Sequence, residues 1–171
     1  MKSYFPFFES RNSSFDATSP VGAFMLARHI GVDEAGRGPA IGPLVVSALN
    51  IPERDRSILK DMGVDDSKNL SKKNRNRLYE EIISYTISLD WTIGLVICDA
   101  GRIDEWMDVG NLNSLEVLLF SEAIGDAAEP GENLEIFLDA CDVDAERFGR
   151  KVFETLGDGW HGCKIYSEHK M

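Results

Sequence analysis

The chain has 171 residues, of which 43% are hydrophobic, so it can bury one core but is too short for two independent domains. No apolar run approaches the roughly 18 residues that a membrane-spanning helix needs, and the N-terminal segment lacks the residue order of a secretion signal. These observations argue against membrane insertion and predict a cytoplasmic protein. The three cysteines lack C-x-x-C spacing, so neither a disulfide framework nor a zinc site is expected.

The predicted elements begin after a Ser- and Phe-rich segment. Residues 1–27 show neither helical nor strand periodicity, so we predict an N-terminal tail followed by one domain over residues 28–171. Met25 lies just before the first predicted strand. Translation from Met25, which would leave most of the tail untranslated, is therefore an alternative to translation from Met1.

Five segments are predicted to be strands and three to be helices. The strands span residues 29–33, 44–51, 91–99, 136–138 and 164–167, and the helices span residues 71–84, 113–127 and 145–156. Ser71 is a suitable cap for the first helix, and the second helix ends before Pro130. Because strands alternate with helices in the second half, we expect an α/β fold with helices packed on an at least partly parallel sheet.

Two adjacent carboxylates end the first predicted strand. Asp33 and Glu34 follow an apolar segment, where burial is costly unless a divalent cation with oxygen ligands neutralises the charge. Adjacent strand residues point to opposite faces, so the pair requires a bend or bulge to share one site. Gly36 and Gly38 permit such a bend and let backbone amides approach a phosphate or sugar hydroxyl, with Arg37 adding charge. An isolated pair of this kind is more often a solvated turn.

The net charge of −11 is unfavourable for binding nucleic-acid phosphates. One segment offsets it locally, because five cations occur between residues 68 and 77 with no acidic residue among them. They are Lys68, Lys72, Lys73, Arg75 and Arg77. Lys68 follows a D-S turn, and considered alone it is an ordinary solvated lysine.

A third acidic strand end lies far downstream. The apolar run at residues 136–138 is followed by Asp139, with Asp142 three residues later. One aspartate is a candidate metal ligand and the other a candidate cap for the following helix, and on the residues alone the two roles are interchangeable. His29 and His161 lack the spaced partners of a metal triad, so no function is assigned to them.

Together these segments resemble the ribonuclease HII family, in its archaeal and eukaryotic forms, over residues 30–171. The segment G-V-D-E-A-G-R-G-P-A-I-G-P-L-V-V at residues 31–46 is similar to the family's opening signature. Four further segments match in order: D-S-K-N-L at 66–70, N-L-N-S-L-E at 111–116, D-A-C-D-V at 139–143 and S-E-H-K-M at 167–171. The segment at 111–116 is expected to cap a helix.

The resemblance implies a ribonuclease H-like mixed sheet flanked by helices and a set of site residues. For catalysis and metal binding these are Asp33, Glu34 and Asp139, and for substrate binding they are Gly36, Arg37, Gly38 and Lys68. The implied cofactor is Mg²⁺ or Mn²⁺. The glycine triplet would sense the 2′-hydroxyl at an RNA–DNA junction, Lys68 would contact a substrate phosphate, and Asp142 would be left to cap the helix.

The implied activity is that of an endonuclease that hydrolyses the RNA strand of RNA·DNA hybrids, including ribonucleotides embedded in duplex DNA. Two-metal catalysis would leave 5′-phosphate and 3′-hydroxyl ends, and the protein is expected to be a monomer without a membrane partner.

Three features leave alternatives open. The family's fourth carboxylate follows an E-H-K-A segment, whereas this chain ends at Met171 in place of that alanine, so the C-terminal helical part is expected to be missing. A catalytically impaired hybrid-binding or structural fragment is therefore an alternative. A sugar or acetate kinase of the related actin-like architecture would need a second glycine-rich phosphate loop, which we do not find in the sequence.

Overall fold

The structure is a computed structural model that describes residues 27–38, 41–130 and 133–169. Within these residues five strands form one sheet in the spatial order β3-β2-β1-β4-β5. They are β1 (Arg28–Ala35), β2 (Leu44–Pro52), β3 (Thr92–Cys98), β4 (Leu134–Asp139) and β5 (Lys164–Glu168). β2 runs antiparallel to β1 and β3, whereas β4 runs parallel to β1 and β5. The prediction of an α/β fold with a partly parallel sheet is confirmed.

Five α-helices accompany the sheet in the described part of the chain. They are α1 (Arg56–Met62), α2 (Lys72–Ser88), α3 (Ala100–Met107), α4 (Leu112–Ala127) and α5 (Ala145–Leu156). All predicted strands and helices are present, with ends displaced by a few residues at most. α1 and α3 are absent from the prediction because helices of seven and eight residues are too short to show a clear apolar period. No helix among the described residues is long and apolar enough to cross a membrane.

The N-terminal prediction is not tested by the fold. The predicted tail at residues 1–27 lies outside the described residues, apart from Ala27, and so does the alternative start at Met25. The division of the chain at residue 28 stays a prediction.

α4 packs against one face of the sheet and lies at the centre of the core. Its N-terminus is fixed by a reciprocal cap, in which Asn111 Oδ1 accepts from the Ser114 amide and Ser114 Oγ accepts from the Asn111 amide. The predicted capping role of this segment is confirmed. Five apolar side chains of α4 are fully buried: Leu115, Leu119, Phe120, Ala123 and Ile124. Each large one stabilises the fold by about 1.5 to 3 kcal/mol, so α4 is held firmly against the strands.

The opposite face of the sheet is covered at one end. Ile51, Leu59 and Trp91 form a second apolar cluster there with partly buried residues of α1 and α2. Elsewhere on this face the side chain of Leu95 is 53% exposed, and Asp33 is exposed as well. The described residues therefore leave the carboxyl end of β1 accessible to solvent.

Gly94 of β3 lies where the backbone of α4 approaches the sheet most closely. A Cβ atom at residue 94 would lie 1.8 Å from the carbonyl oxygen of Ala123. The helix and the strand can therefore adopt this spacing only because residue 94 has no side chain.

We predict that Gly94→Ala lowers the free energy of unfolding by at least about 2 kcal/mol, because the added methyl group displaces the α4 backbone. Urea denaturation measures this change. Gly125→Ala on α4 is the matched control: its Cβ meets nothing within 4 Å, so the better helix former should stabilise by about 0.5 to 1 kcal/mol. Equal effects of the two substitutions would contradict the close approach.

Candidate active site

Parallel pairing of β1 and β4 brings two distant aspartates together. Val32 of β1 is the register partner of Leu138 of β4, so Asp33 and Asp139 follow at the same level on adjacent strands. Register partners in a sheet direct their side chains to the same face. Asp33 and Asp139 therefore point to the face of the sheet that is open to solvent at this end. On the far side of β4, Asp139 is paired with Glu168 of β5.

Glu34 joins the two aspartates although it points to the other side of β1. The pairing of β1 with β2 continues without a bulge as far as Ala35, so the predicted need for a bend at Asp33 and Glu34 is wrong. The parallel pairing of β1 with β4 ends at Val32 and Leu138, before Glu34 is reached. One carboxylate oxygen of each of the three acidic residues lies within 4.8 Å of the other two.

These three carboxylates repel one another in the absence of a cation. Burial raises the pKa of Glu34, and the adjacent negative charges of Asp33 and Asp139 raise it further. The nearby Cys141 thiol partly offsets this rise. Burial also raises the pKa of Cys141, so the residue is a neutral thiol and not a thiolate.

The acidic cluster fits a hard divalent cation. Carboxylate oxygens are ligands that Mg²⁺ and Mn²⁺ prefer, and a cation would remove the mutual repulsion of the three groups. Glu34 and Asp139 are half-buried whereas Asp33 is exposed, so an ion held here would also be reached by water. The structure thus brings together the residues that the sequence suggested as metal ligands.

The two glycines of the loop after β1 have different structural roles. Gly36 has a φ of +94°, and a Cβ atom there would lie 2.2 Å from the Pro43 carbonyl oxygen. Glycine is therefore required at residue 36 by the fold itself. Gly38 is exposed and a Cβ atom there would meet nothing within 4 Å, so its backbone is open to an approaching ligand.

Arg37, between these glycines, turns toward α4. Its Nε donates to Glu116 Oε1 at 2.5 Å, and its Nη2 donates to Asn113 Oδ1 at 3.1 Å. The hydrogen bond to Glu116 raises the pKa of Arg37, whereas burial raises the pKa of Glu116 against the influence of the guanidinium. Sequence reasoning missed this role of Glu116. The signal was an acidic residue within the apolar run L-E-V-L-L-F at residues 115–120.

The basic segment at residues 68–77 divides into two groups. Arg75 donates hydrogen bonds to the backbone carbonyl groups of residues 67 and 70, so it holds the turn before α2 in place. Arg77 pairs with the acidic residue one turn further along α2. Lys68, Lys72 and Lys73 are exposed and form no salt bridge within the described segments. These three lysines are therefore available to an external anion.

Asp142 is not a helix cap. Asp144 caps α5, since its side chain accepts a hydrogen bond from the Arg147 amide at 2.9 Å. Asp142 is buried and its carboxylate pairs with the Arg147 guanidinium at 2.5 Å. The predicted capping role of Asp142 is wrong. The ion pair turns this carboxylate toward α5, whereas Asp139 lies in the acidic cluster.

The last described residues lie close to the loop after β4. His169 Nε2 lies 3.1 Å from the carbonyl oxygen of Val143 and its side chain is exposed. Lys170 and Met171, which complete the matched segment at the chain end, lie outside the described residues.

A mixed five-stranded sheet in this order, with acidic side chains where β1 and β4 adjoin, defines a protein of the ribonuclease H-like fold class. The structure is similar to the crystal structure of ribonuclease H2 from Pyrococcus horikoshii OT3, with a TM-score of 0.67 and 33% sequence identity. The match covers 84% of this chain and 63% of that chain. The family model "Ribonuclease HII" matches residues 30–171, and the chain belongs to this family.

Two curated relatives show the same relationship at the level of sequence. Ribonuclease HII of Methanococcus maripaludis strain C6 is 36% identical over 141 residues, which cover 82% of this chain and 56% of the relative. Ribonuclease HII of Pyrococcus furiosus is 40% identical over 141 residues, which cover 82% of this chain and 58% of the relative. The chain therefore spans little more than half the length of these curated relatives.

We predict that Mn²⁺ stabilises the protein and that Glu34→Gln removes most of this effect. At a concentration of 100 times the Kd, a bound cation adds about 2.7 kcal/mol to the free energy of unfolding. Thermal melting with and without Mn²⁺ measures it. Glu135→Gln is the control, because Glu135 lies on β4 but outside the acidic cluster. Equal Mn²⁺ stabilisation of both variants would contradict the cluster.

Without metal, the substitution Glu34→Gln should also change how the free energy of unfolding depends on pH. The raised pKa of Glu34 means that the folded state holds this proton more tightly than the unfolded chain. The resulting stabilisation is present below the ordinary glutamate pKa of about 4.5 and is lost as pH rises through the folded value. Because Gln at residue 34 cannot ionise, this loss does not occur in Glu34→Gln. The free energy of unfolding of the variant should therefore exceed that of wild type near pH 7.

Proposed function

We propose that this chain carries the core of an endonuclease that hydrolyses the RNA strand of RNA·DNA hybrids, including single ribonucleotides embedded in duplex DNA. The observation that carries the proposal is the acidic cluster of Asp33, Glu34 and Asp139 beside an open glycine loop. Membership of the ribonuclease HII family supports the reaction class. The products would carry 5′-phosphate and 3′-hydroxyl ends.

In this proposal the acidic cluster holds Mg²⁺ or Mn²⁺ at the open end of β1. When bound, two such ions would supply an activated water and charge stabilisation at the leaving 3′-oxygen. The protein's own part is to fix the three carboxylates on two strands. Cys141 lies beside them, and its thiol donates to the backbone carbonyl of Asp139 at 3.9 Å.

Substrate recognition falls to two exposed features of the described chain. The backbone of the loop at residues 36–38 is proposed to read the ribose 2′-hydroxyl, the group that separates RNA from DNA. Because a 2′-hydroxyl is common to all ribonucleotides, cleavage should be largely independent of base sequence. Lys68, assisted by Lys72 and Lys73, is proposed to contact substrate phosphates, since these lysines have no acidic partner in the described residues.

The net charge of −11 gives these few cations a defined role. A net negative charge repels phosphates overall, so the three lysines and a cation-loaded cluster would supply local attraction for a duplex. We further propose that the protein acts as a monomer in the cytoplasm.

The alternative function is binding of hybrids without hydrolysis. It would need only the exposed loop at residues 36–38 and the exposed lysines, because neither depends on a bound cation.

We predict that the 171-residue chain, supplied with Mn²⁺ or Mg²⁺, nicks a labelled duplex containing one ribonucleotide and leaves the all-DNA duplex intact. Asp139→Asn should reduce the nicking rate at least about 100-fold. Mutation of groups that support a metal ligand costs about 10- to 100-fold, and mutation of a ligand itself should cost more. Glu135→Gln on the same strand is the control and should retain the rate.

Denaturing gel electrophoresis of the products separates the outcomes. Selective binding of the ribonucleotide duplex without any nick favours the hybrid-binding alternative. Equal binding of the two duplexes without a nick contradicts the proposed hydrolysis and the hybrid-binding alternative alike. A nick that persists in Asp139→Asn contradicts the assignment of the metal ligands.

A further inference from the structure

Glu116 is a buried acid whose position the proposed catalysis leaves unexplained. Its side chain is 0% exposed, and it lies among the apolar residues by which α4 packs on the sheet. Oε1 accepts from Arg37, whereas Oε2 is buried without a hydrogen-bond partner among the described residues. Withdrawing a carboxylate from water costs several kcal/mol, and one ion pair with one unsatisfied oxygen compensates it incompletely. An apolar residue would serve the core better.

What Glu116 does achieve is to hold the glycine loop. Arg37 is flanked by Gly36 and Gly38, which have the widest backbone freedom of any residue type. Its guanidinium donates through Nε to Glu116 and through Nη2 to Asn113, both on the first two turns of α4. Because α4 is fixed by its fully buried apolar residues, the loop is tied through Arg37 to the most rigid element of the fold.

The ion pairs of Glu116 and Glu122, two acids of α4, differ in burial. Glu122 lies on the same helix and pairs with Arg102 of α3 at 2.6 Å, but both side chains are more than a third exposed. That pair is an ordinary surface salt bridge of little consequence for stability. The Arg37 pair differs because its acid is fully buried and its base belongs to the loop next to the acidic cluster.

We propose that Glu116 is a positioning residue for recognition of the ribose 2′-hydroxyl. Glu116 holds Arg37, and Arg37 holds the backbone of residues 36–38 in a fixed position relative to the acidic cluster. Reading a hydroxyl by backbone amides requires the loop to be held within about 0.5 Å, which glycines alone cannot provide. The inference rests on the proposed function for its ligand, but the rigidity of the loop can be measured without any ligand.

The test uses the 171-residue chain and the variants Glu116→Gln and Glu122→Gln. Nuclear magnetic resonance relaxation gives order parameters for the amides of Gly36 and Gly38. We expect order parameters of about 0.85 in wild type and Glu122→Gln, and order parameters below about 0.6 in Glu116→Gln. A mobile loop in wild type, or a loop that stays rigid in folded Glu116→Gln, would overturn the proposal.

Duplex binding in Ca²⁺ provides the second readout. Glu116→Gln should lose most of the preference of wild type for a duplex with one ribonucleotide over the all-DNA duplex, by about tenfold, which corresponds to 1.4 kcal/mol. Affinity for the all-DNA duplex should be unchanged. If the loop of Glu116→Gln is mobile but the variant keeps the full preference for the duplex with one ribonucleotide, the role of Glu116 in recognition is refuted. Absence of any preference in wild type would refute the proposed function, while the order parameters still decide whether Glu116 fixes the loop.

A double variant covers the case in which Glu116→Gln does not fold. Arg37→Met combined with Glu116→Met removes both charges and leaves no unpaired buried group. Circular dichroism establishes that it is folded. Its loop should be as mobile as expected for Glu116→Gln, and a rigid loop in the double variant would overturn the proposal.

Discussion

The parallel pairing of β1 with β4 determines the position of every acidic side chain at the candidate active site. The register partners of the two strands are 106 residues apart in the chain, as Val32 and Leu138 are, and hydrogen bonding in one register sets Asp33 beside Asp139. A shift of one residue would send Asp139 to the opposite face of the sheet. The register is fixed in turn by burial of Ile30, Val32, Ile136 and Leu138 beneath α4 and α5. Core packing and active-site geometry are therefore consequences of the same contact.

The open end of β1 combines a rigid frame with a poorly compensated charge. Three carboxylates face one another there, and burial together with the charges of Asp33 and Asp139 raises the pKa of Glu34. A second acid, Glu116, is incompletely compensated by its ion pair with Arg37 of the adjacent loop. Natural proteins tolerate such groups chiefly where function requires them. We infer that the acidic cluster is maintained for a cation and that Glu116 is maintained for the loop.

Much of this arrangement could be predicted from the sequence, because the signals involved are local. Apolar runs that end in acidic residues predicted β1 and β4, and Ser71, which caps α2 by accepting from the Asn74 amide, marked the start of a helix. The choice of Asp139 over Asp142 was different. The residues alone left it open and the resemblance to ribonuclease HII favoured Asp139. The structure places Asp139 beside Asp33 and Glu34 and pairs Asp142 with Arg147, and the role of Asp139 as a metal ligand stays a prediction.

The features that escaped prediction depend on contacts between distant parts of the chain. Arg37 and Glu116 are 79 residues apart, and no local pattern states that they meet. The antiparallel pairing that keeps β1 regular through Glu34 likewise depends on β2, so a bend seemed necessary when the strand was considered alone. The short helices α1 and α3 owe their stability to tertiary packing more than to their own periodicity. The monomeric state and the cytoplasmic location stay predictions.

The central claim is that folding gathers Asp33, Glu34 and Asp139 into one site for a divalent cation. Crystals of the 171-residue chain soaked in Mn²⁺ and measured at the manganese absorption edge test it most directly. We expect an anomalous peak among the three carboxylates, with oxygen atoms about 2.0 to 2.4 Å from it. A carboxylate of Asp139 lying far from the other two, or manganese bound elsewhere with this cluster vacant, would contradict the account.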